Sequence, residues 1–271
     1  MDNAGAPGSA AIDPRHTTGL GGLFRGEPAY RPRTNWPLIP AIVATLGIVI
    51  VAMAAGLTGS LAATPADPAH RTEGVWPFVA ALAASQVAAI AVTLLAARAF
   101  ESRAWDVLAM GKPRQGPFVY PAAMLLMLLV FGTYSLAVWF AAPNVVVHDL
   151  EPFAALMHSD GWWIALLAIS IGAPLMEEIV FRGFLLSALA RSRIGFVAGS
   201  VISSAAWTGL HASYSLLGLL EVFAVGLYFS WLLWRTGSLR VPIFCHAAYN
   251  LGIALFLLVF GLPSTVAAVG G

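Results

Sequence analysis

The sequence predicts an all-α, polytopic transmembrane helix bundle of about seven helices with a cytoplasmic N-terminus. Three observations predict it. First, the chain of 271 residues is 59% hydrophobic and only 10% charged, with mean hydropathy +0.81, whereas soluble domains carry about 25% charged residues. Second, apolar runs recur at close to the roughly 20 residues that cross a bilayer. Third, Lys and Arg fall in alternate connections between those runs, the asymmetry that sets membrane orientation.

The first 35 residues, Met1 to Asn35, are rich in Pro, Gly and Arg and read as a disordered cytoplasmic tail. No cleavable signal peptide is visible in them. The first span is Pro37–Ser60 and the second Trp76–Ala97, separated by a loop marked by Pro65 and Pro68. The third is Phe118–Ala142. Residues 143–161 form an outer loop, with a short interfacial helix around Glu151–His158. The fourth span, Trp162 to about Leu189, is long and the fifth, Gly195 to about His211, is short. Leu216–Trp234 and Val241–Phe260 complete the set. Trp36, Trp76, Trp162, Trp163, Trp231 and Trp234 lie near span ends, where aromatic belts form. The chain thus divides into a tail (1–35), three N-terminal spans (36–142), the outer loop (143–161), a four-helix C-terminal core (162–260) and a short end segment (261–271).

The tail holds Arg15, Arg25, Arg31 and Arg33, and the second connection holds Arg98, Arg103, Lys112 and Arg114. Arg191 and Arg193 follow the fourth span, and Arg235 and Arg240 follow the sixth. Under a seven-span reading all of these share one side. The opposite loops carry Arg71 beside Asp67, Glu73, Asp149, Glu151 and Asp160. The positive-inside rule places the basic side in the cytoplasm and the C-terminus outside, as expected of a multi-pass protein of the cell membrane. A net charge of +1 excludes bulk nucleic acid as a partner. The lone Cys245 excludes an internal disulfide and a Cys-rich zinc cluster. No internal repeat marks the chain as an inverted-repeat transporter.

Against this apolar background, Glu177, Glu178, Arg182, His211, His246 and Asn250 stand out. An ionisable group at mid-bilayer costs roughly 2.5–3.5 kcal/mol on insertion scales, so two carboxylates, an arginine and two histidines on neighbouring spans point to a polar site built inside the membrane. Glu178 and Arg182 are four apart and share a helix face, where they pair. Glu177 is turned about 100° away. That asymmetry separates a neutralised acid from a working base. With a turn near Ile194, Glu177 and His211 lie 17 positions on either side, at matched depth roughly 25 Å from the turn. His246 lies only about 12–14 Å from the next turn, near Gly237–Ser238. The levels meet only if the first hairpin projects further toward the cytoplasm.

Other polar residues read more simply. Gly195, Gly199 and Ser203 let the fifth span approach the fourth closely. Trp207 sits one turn before His211 and walls the pocket. His246 and Asn250 share a face, and Cys245 beside them reads as packing. Glu221 reads as structural or interfacial, and His16, His148 and His158 as solvated.

A glutamate and a histidine at one level hold and deprotonate a water, and a histidine with an asparagine stabilises a developing oxyanion. Together these parts hydrolyse an amide without a covalent intermediate. The alternative is zinc held by Glu177, His211 and His246 with one open position for water, although no His-Glu-x-x-His helix is present. The residues alone leave both open.

The ordered motifs Glu177-Glu178-x-x-x-Arg182, Trp207-x-x-x-His211 and His246-x-x-x-Asn250 resemble the CAAX prenyl endopeptidase family, the CPBP or Abi group of intramembrane proteases. The resemblance covers roughly Trp162–Phe260, with Trp207 standing where the family usually has Phe. It implies that Glu177 and His211 activate water, that His246 and Asn250 stabilise the oxyanion, and that Glu178 and Arg182 support them. It implies a glutamic or metallo-type endopeptidase, a peptide or membrane-protein substrate, and a cavity open to the cytosol. Relatives that cleave prenylated proteins do not by themselves make the substrate here prenylated. Two other readings are a non-proteolytic bacteriocin-immunity or scaffolding protein of the same fold, and a proton-coupled transporter using the acidic pair.

Overall fold

The computed structural model describes residues 19–25, 27–64, 75–99 and 103–263. Among them all regular structure is helical. A short α1 (Gly19–Phe24) precedes α2 (Leu38–Ala63) and α3 (Trp76–Ala97). After the single turn α4 (Ala104–Val107) come α5 (Val119–Ala141) and α6 (Pro143–Met157). The long α7 (Trp162–Arg191) is followed by α8 (Gly195–Gly209), α9 (Leu216–Thr236) and α10 (Arg240–Phe260). Six of these, α2, α3, α5, α7, α9 and α10, are long and apolar enough to cross a membrane. The fifth predicted span, α8, has 15 residues and is about 22 Å long, shorter than the roughly 30 Å hydrocarbon layer. The turn that follows it, Leu210–Ser213, is mostly exposed, with His211 half-buried in it.

Hydrogen bonds gather the basic segments at one end of the bundle. The amides of Ala29 and Tyr30 donate to the Trp234 carbonyl, Arg114 N donates to Thr236 O, and Gln115 donates to Arg235 O. Arg191 donates to Asn35 and to the Thr34 carbonyl. The starts of α2, α5 and α10 therefore meet the ends of α7 and α9. This is the arrangement an odd number of passes up to the C-terminus requires, with α8 counted as a pass.

Residues 1–35 are not uniformly a tail. Leu23 of α1 is fully buried, and Arg235 holds the carbonyls of Leu23 and Arg25. The segment 27–35 is laid across the basic end by the bonds just described. The docking uses the backbone of the N-terminal region: its amides donate to the last turn of α9, and Arg191 and Arg235 reach its carbonyls. The expectations for His16 and for the loop with Arg71 lie outside the described residues. Within 143–161, the structure has a full helix, α6, where a loop with a short helix was expected. Its Asp149 is buried and caps α9 by accepting from Ser215 N and Ser215 Oγ at 2.7 and 2.6 Å.

Small residues set the closest helix contacts, as van der Waals packing in lipid favours. A Cβ at Gly59 would lie 2.7 Å from the Ala80 carbonyl oxygen, so α2 and α3 touch backbone to backbone. A Cβ at Gly199 would lie 2.9 Å from Leu189 Cβ, which fixes α8 against α7.

The fourth span is not a uniform α-helix. It widens into π-helix at Ala168–Gly172 and again at Glu178–Leu185. Such wide turns weaken the helix's own ladder and recur at functional sites. Neighbouring helices take up carbonyls there: Gln86 of α3 donates to Ala168 O at 3.0 Å, Asn250 of α10 donates to Ile169 O at 3.1 Å, and Ser203 of α8 donates to Phe181 O at 2.7 Å. Side chains in lipid must satisfy whatever backbone groups a non-α turn releases.

Candidate active site

The second π segment begins at the acidic pair. Glu178 and Arg182 are both fully buried, and Arg182 Nη1 donates to Glu178 Oε1 at 3.0 Å. The same oxygen lies 3.1 Å from His246 Nδ1. An ionised carboxylate only accepts, so Nδ1 carries the proton and Glu178 fixes the tautomer of His246. The other ring nitrogen, Nε2, then faces Glu177 Oε2 at 3.8 Å. One imidazole thus lies between two carboxylates of consecutive residues, and the levels of Glu177 and His246 meet. From Glu177 to Arg191 is about 21 Å along α7, and from His246 to Arg240 about 9 Å along α10. The α7–α8 hairpin therefore reaches further from the site than the α9–α10 hairpin, as the depth argument required.

Trp207 organises the opposite wall. Its indole N–H donates to Glu177 Oε2 at 2.6 Å. Its ring carries the Arg182 guanidinium 4.2 Å from the centroid, a cation–π contact that strengthens where water is excluded. The rings of His211 and His246 meet it edge-on at 5.2 and 5.5 Å. Phe229 stacks on His246 at 5.0 Å and also faces Arg182. Gly226 is required beside this group, because a Cβ there would lie 2.8 Å from Arg182 Nη2.

His211 does not bond Glu177 directly. Its Nδ1 lies 3.2 Å from the Trp207 carbonyl, an acceptor, so Nδ1 carries the proton and Nε2 remains the basic nitrogen. Glu177 and His211 are joined through Trp207, one by its indole N–H and the other by its carbonyl. Asn250 is one turn from His246 and is tied by its amide to the Ile169 carbonyl.

Several residues at the site were not legible in the sequence. Phe229 reads there as one more apolar residue, and Gln86 as a lone polar residue in an apolar span. Tyr214 meets His211 edge-on at 5.3 Å. Burial, then the carboxylates of Glu177, Asp149 and Glu221, push its phenol above the usual range, so it stays protonated. Glu221 is bonded away from the acidic pair: Ser135 and Tyr249 donate to it at 2.6 and 3.0 Å. Cys245 is buried within the core.

Zinc coordination needs three protein ligands converging at about 2.0–2.2 Å from one point. Among the described residues no group of three or more His, Cys, Asp or Glu side chains is arranged to hold a metal ion. Glu177 and His246 approach one another at 3.8 Å, while no hydrogen bond or ion pair among the described residues joins His211 to either.

These features define a multi-pass membrane protein with a polar, hydrogen-bonded site among its C-terminal helices. Residues 159–252 match the family model of the type II CAAX prenyl endopeptidase, Rce1-like, a family of membrane proteases. The match spans all six polar residues, so the motif resemblance is shown over this region. The chain is 38% identical over 111 residues to an "Uncharacterized 24.3 kDa protein" of Escherichia coli, covering 38% of this chain and 51% of that protein. It is 36% identical over 95 residues to the "Putative membrane peptidase YdiL" of Bacillus subtilis (strain 168), covering 35% of this chain and 38% of that protein. The similarity thus spans about half or less of either relative. No solved structure matches the chain.

Proposed function

We propose that the protein is an intramembrane endopeptidase of the CAAX-protease kind, hydrolysing a peptide bond with water activated by Glu177 and His211. The observation that carries this reading is the single imidazole held between two buried carboxylates of one helix turn, beside the indole-anchored Glu177. A structural ion pair needs one acid for Arg182, and Glu178 fills that role. Glu177 is left as a second carboxylate that no cation of the described residues neutralises directly.

The chemistry follows from the hydrogen bonds. Trp207 occupies Glu177 Oε2, which leaves Oε1 to accept a proton from water. Water attacks the scissile carbonyl carbon and loses its proton to Glu177, with His211 Nε2 accepting the water's second hydrogen bond. The carbonyl oxygen becomes an oxyanion beside the His246 ring and is stabilised by Asn250 once its amide turns from Ile169. When the C–N bond breaks, the proton held by Glu177 passes to the leaving amine. Glu178 keeps His246 oriented, and Arg182 pairs with Glu178. Preorganised donors in a water-poor site supply much of such catalysis.

A cavity of about 400 Å³ opens between α2, α3 and α7, with Ile48, Phe78, Met176, Val180 and Leu210 on its walls. Met176 and Leu210 each immediately precede a residue of the water-activating pair. This apolar recess suits the hydrophobic part of a membrane-associated peptide, and it gives the N-terminal helices a role in substrate access. We infer that the active site itself opens to the cytoplasmic side of the cell membrane, the side that the positive-inside reading gives to the basic end; the recess is lined by the later half of α2 and the first half of α3.

The test compares the N- and C-termini of membrane-associated proteins in cells with wild-type protein and with Glu177→Ala. Fragments that disappear in the variant, with membrane insertion unchanged, are the expected result. An identical set of termini sinks the protease reading and returns the immunity and transport readings. Cleavage that survives 1,10-phenanthroline is expected of direct water activation, and its loss, with zinc in the purified protein, would move the mechanism to a metal.

A further inference from the structure

A second polar site lies at the basic end of the bundle, far from the acidic pair in sequence and in the fold. It is a cleft of about 210 Å³ whose rim and walls include Tyr30, Arg31, Arg33, Trp105, Asp106 and Lys112. Three cations face one acid, and that acid, Asp106, is bridged to Arg33 at 3.3 Å. Arg31 is folded back on the carbonyls of Pro28 and Tyr30. Lys112 is exposed and has neither a hydrogen bond nor an ion pair among the described residues.

The cleft is built from three separate chain segments pinned to one another. Tyr30 and Ala29 bond Trp234, as above. On the other side, Leu239 N donates to Ala109 O, Ser238 Oγ to Gly111 O at 2.6 Å, and Arg240 Nε to Met110 O at 2.7 Å. Ala109 takes a positive φ of 51°, an uncommon conformation for a residue with a Cβ, and its carbonyl is the one that Leu239 uses. Gly237, also at positive φ, lies so close to Ala29 that a Cβ would be 3.1 Å from it. The walls are thus fixed before anything binds, and the excess positive charge is not neutralised from within.

Its depth is equally specific. The cleft sits where α2 and α10 begin and α9 ends, at the headgroup level of a bilayer that those helices cross. Exposed Trp105 stands on its rim with the Arg240 guanidinium 5.3 Å from its ring centroid, and exposed Ile39 begins the lipid-facing surface nearby. Basic pockets between helix ends on the cytoplasmic side recognise anionic headgroups, and tryptophan favours the same layer.

We infer that this cleft binds a phosphate group, presented by the headgroup of an anionic phospholipid, between Arg31, Arg33 and Lys112. Bound phosphate ties the segment 27–33 to the 105–112 loop across the gap now bridged by Arg33 and Asp106. The inference stands independently of the protease reading, because it uses no residue of the acidic site.

The test uses the purified full chain in mixed micelles containing phosphatidylcholine, with phosphatidylglycerol or with inorganic phosphate as the probe. Retained lipid is counted by native mass spectrometry, and the unfolding midpoint is followed against probe concentration. The expected result is selective retention of phosphatidylglycerol and a rising midpoint. Arg33→Gln/Lys112→Gln should need about tenfold more lipid for the same shift, while Arg193→Gln, on the same side but outside the cleft, responds like wild type. Lys112→Gln alone loses no described internal bond, so a weaker response there reports the cleft and not misfolding. Stabilisation by millimolar inorganic phosphate as strong as that by the lipid would assign the site to a soluble phosphate instead. Equal responses of wild type and the cleft variants, or an equal loss in Arg193→Gln, would overturn the inference.

Discussion

Arg182 is the largest fully buried side chain among the described residues, and its neighbours explain how a guanidinium is tolerated there. It pairs with Glu178 and lies against the faces of Trp207 and Phe229. Its Nε and Nη2, with Glu178 Oε2, have no hydrogen-bond partner among the described residues, so the pair is incompletely satisfied and its removal is a sensitive probe. Arg182→Met should destabilise the fold by about 3–5 kcal/mol, because it strands a buried carboxylate. Adding Glu178→Gln should recover part of that loss, and the midpoints of thermal unfolding for the two singles and the double give the coupling directly. Trp207→Phe keeps an aromatic ring over Arg182 but deletes the donor to Glu177. A hydrogen bond to a charged group is worth about 1.5–3 kcal/mol, so turnover should fall about 10- to 100-fold, with a smaller change in KM. Unchanged turnover would show that the indole N–H has no part in holding Glu177.

At the scale of the element, α7 owes its geometry to partners on other helices. The expectation that Glu177 points about 100° from Glu178 assumed uniform α-helix. The widened turn that starts at Glu178 brings both carboxylates to His246. Gln86, Ser203 and Asn250 are the side chains that accommodate the widened turns, and no periodicity in α7 itself announces them. Gly172 carries a clear test. A Cβ there would lie 1.9 Å from Gln86 Oε1, so Gly172→Ala must push that side chain off the Ala168 carbonyl. The cost should be about 1–3 kcal/mol, the price of a buried polar group left unpaired. Repeating Gly172→Ala in a Gln86→Ala background should remove most of the penalty in a thermal unfolding series, and an equal penalty in both backgrounds would place the strain elsewhere.

For the whole molecule, the arrangement of termini and loops follows from which helix ends are tied together. The contacts of Tyr30, Arg114, Arg191 and Arg235 fix one basic end, and α6 with Asp149 forms part of the other. Cys245 is buried, which makes orientation measurable in an otherwise unmodified background. Arg193→Cys should react with a membrane-impermeant maleimide in inverted membrane vesicles and not in intact cells. His158→Cys should show the reverse. Labelling of both positions from one side would overturn the odd number of passes and with it the cytoplasmic access proposed for the active site.

The sequence by itself determined that the chain is a helical membrane protein. It did so because few charges and long apolar runs leave the backbone no other way to satisfy its hydrogen bonds in lipid. It also singled out Glu177, Glu178, Arg182, His211, His246 and Asn250, since ionisable groups in such runs are costly enough to be conspicuous. Spacing on one helix was enough to pair Glu178 with Arg182. Tertiary structure decided the rest of the wiring: that His246 bridges both carboxylates, that Trp207 stands between Glu177 and His211, and that the segment 27–35 is docked. Those contacts join residues tens to hundreds of positions apart, and their geometry depends on helix tilt, π turns and close glycine packing. A one-dimensional pattern records the period of each helix but not where its neighbours cross it.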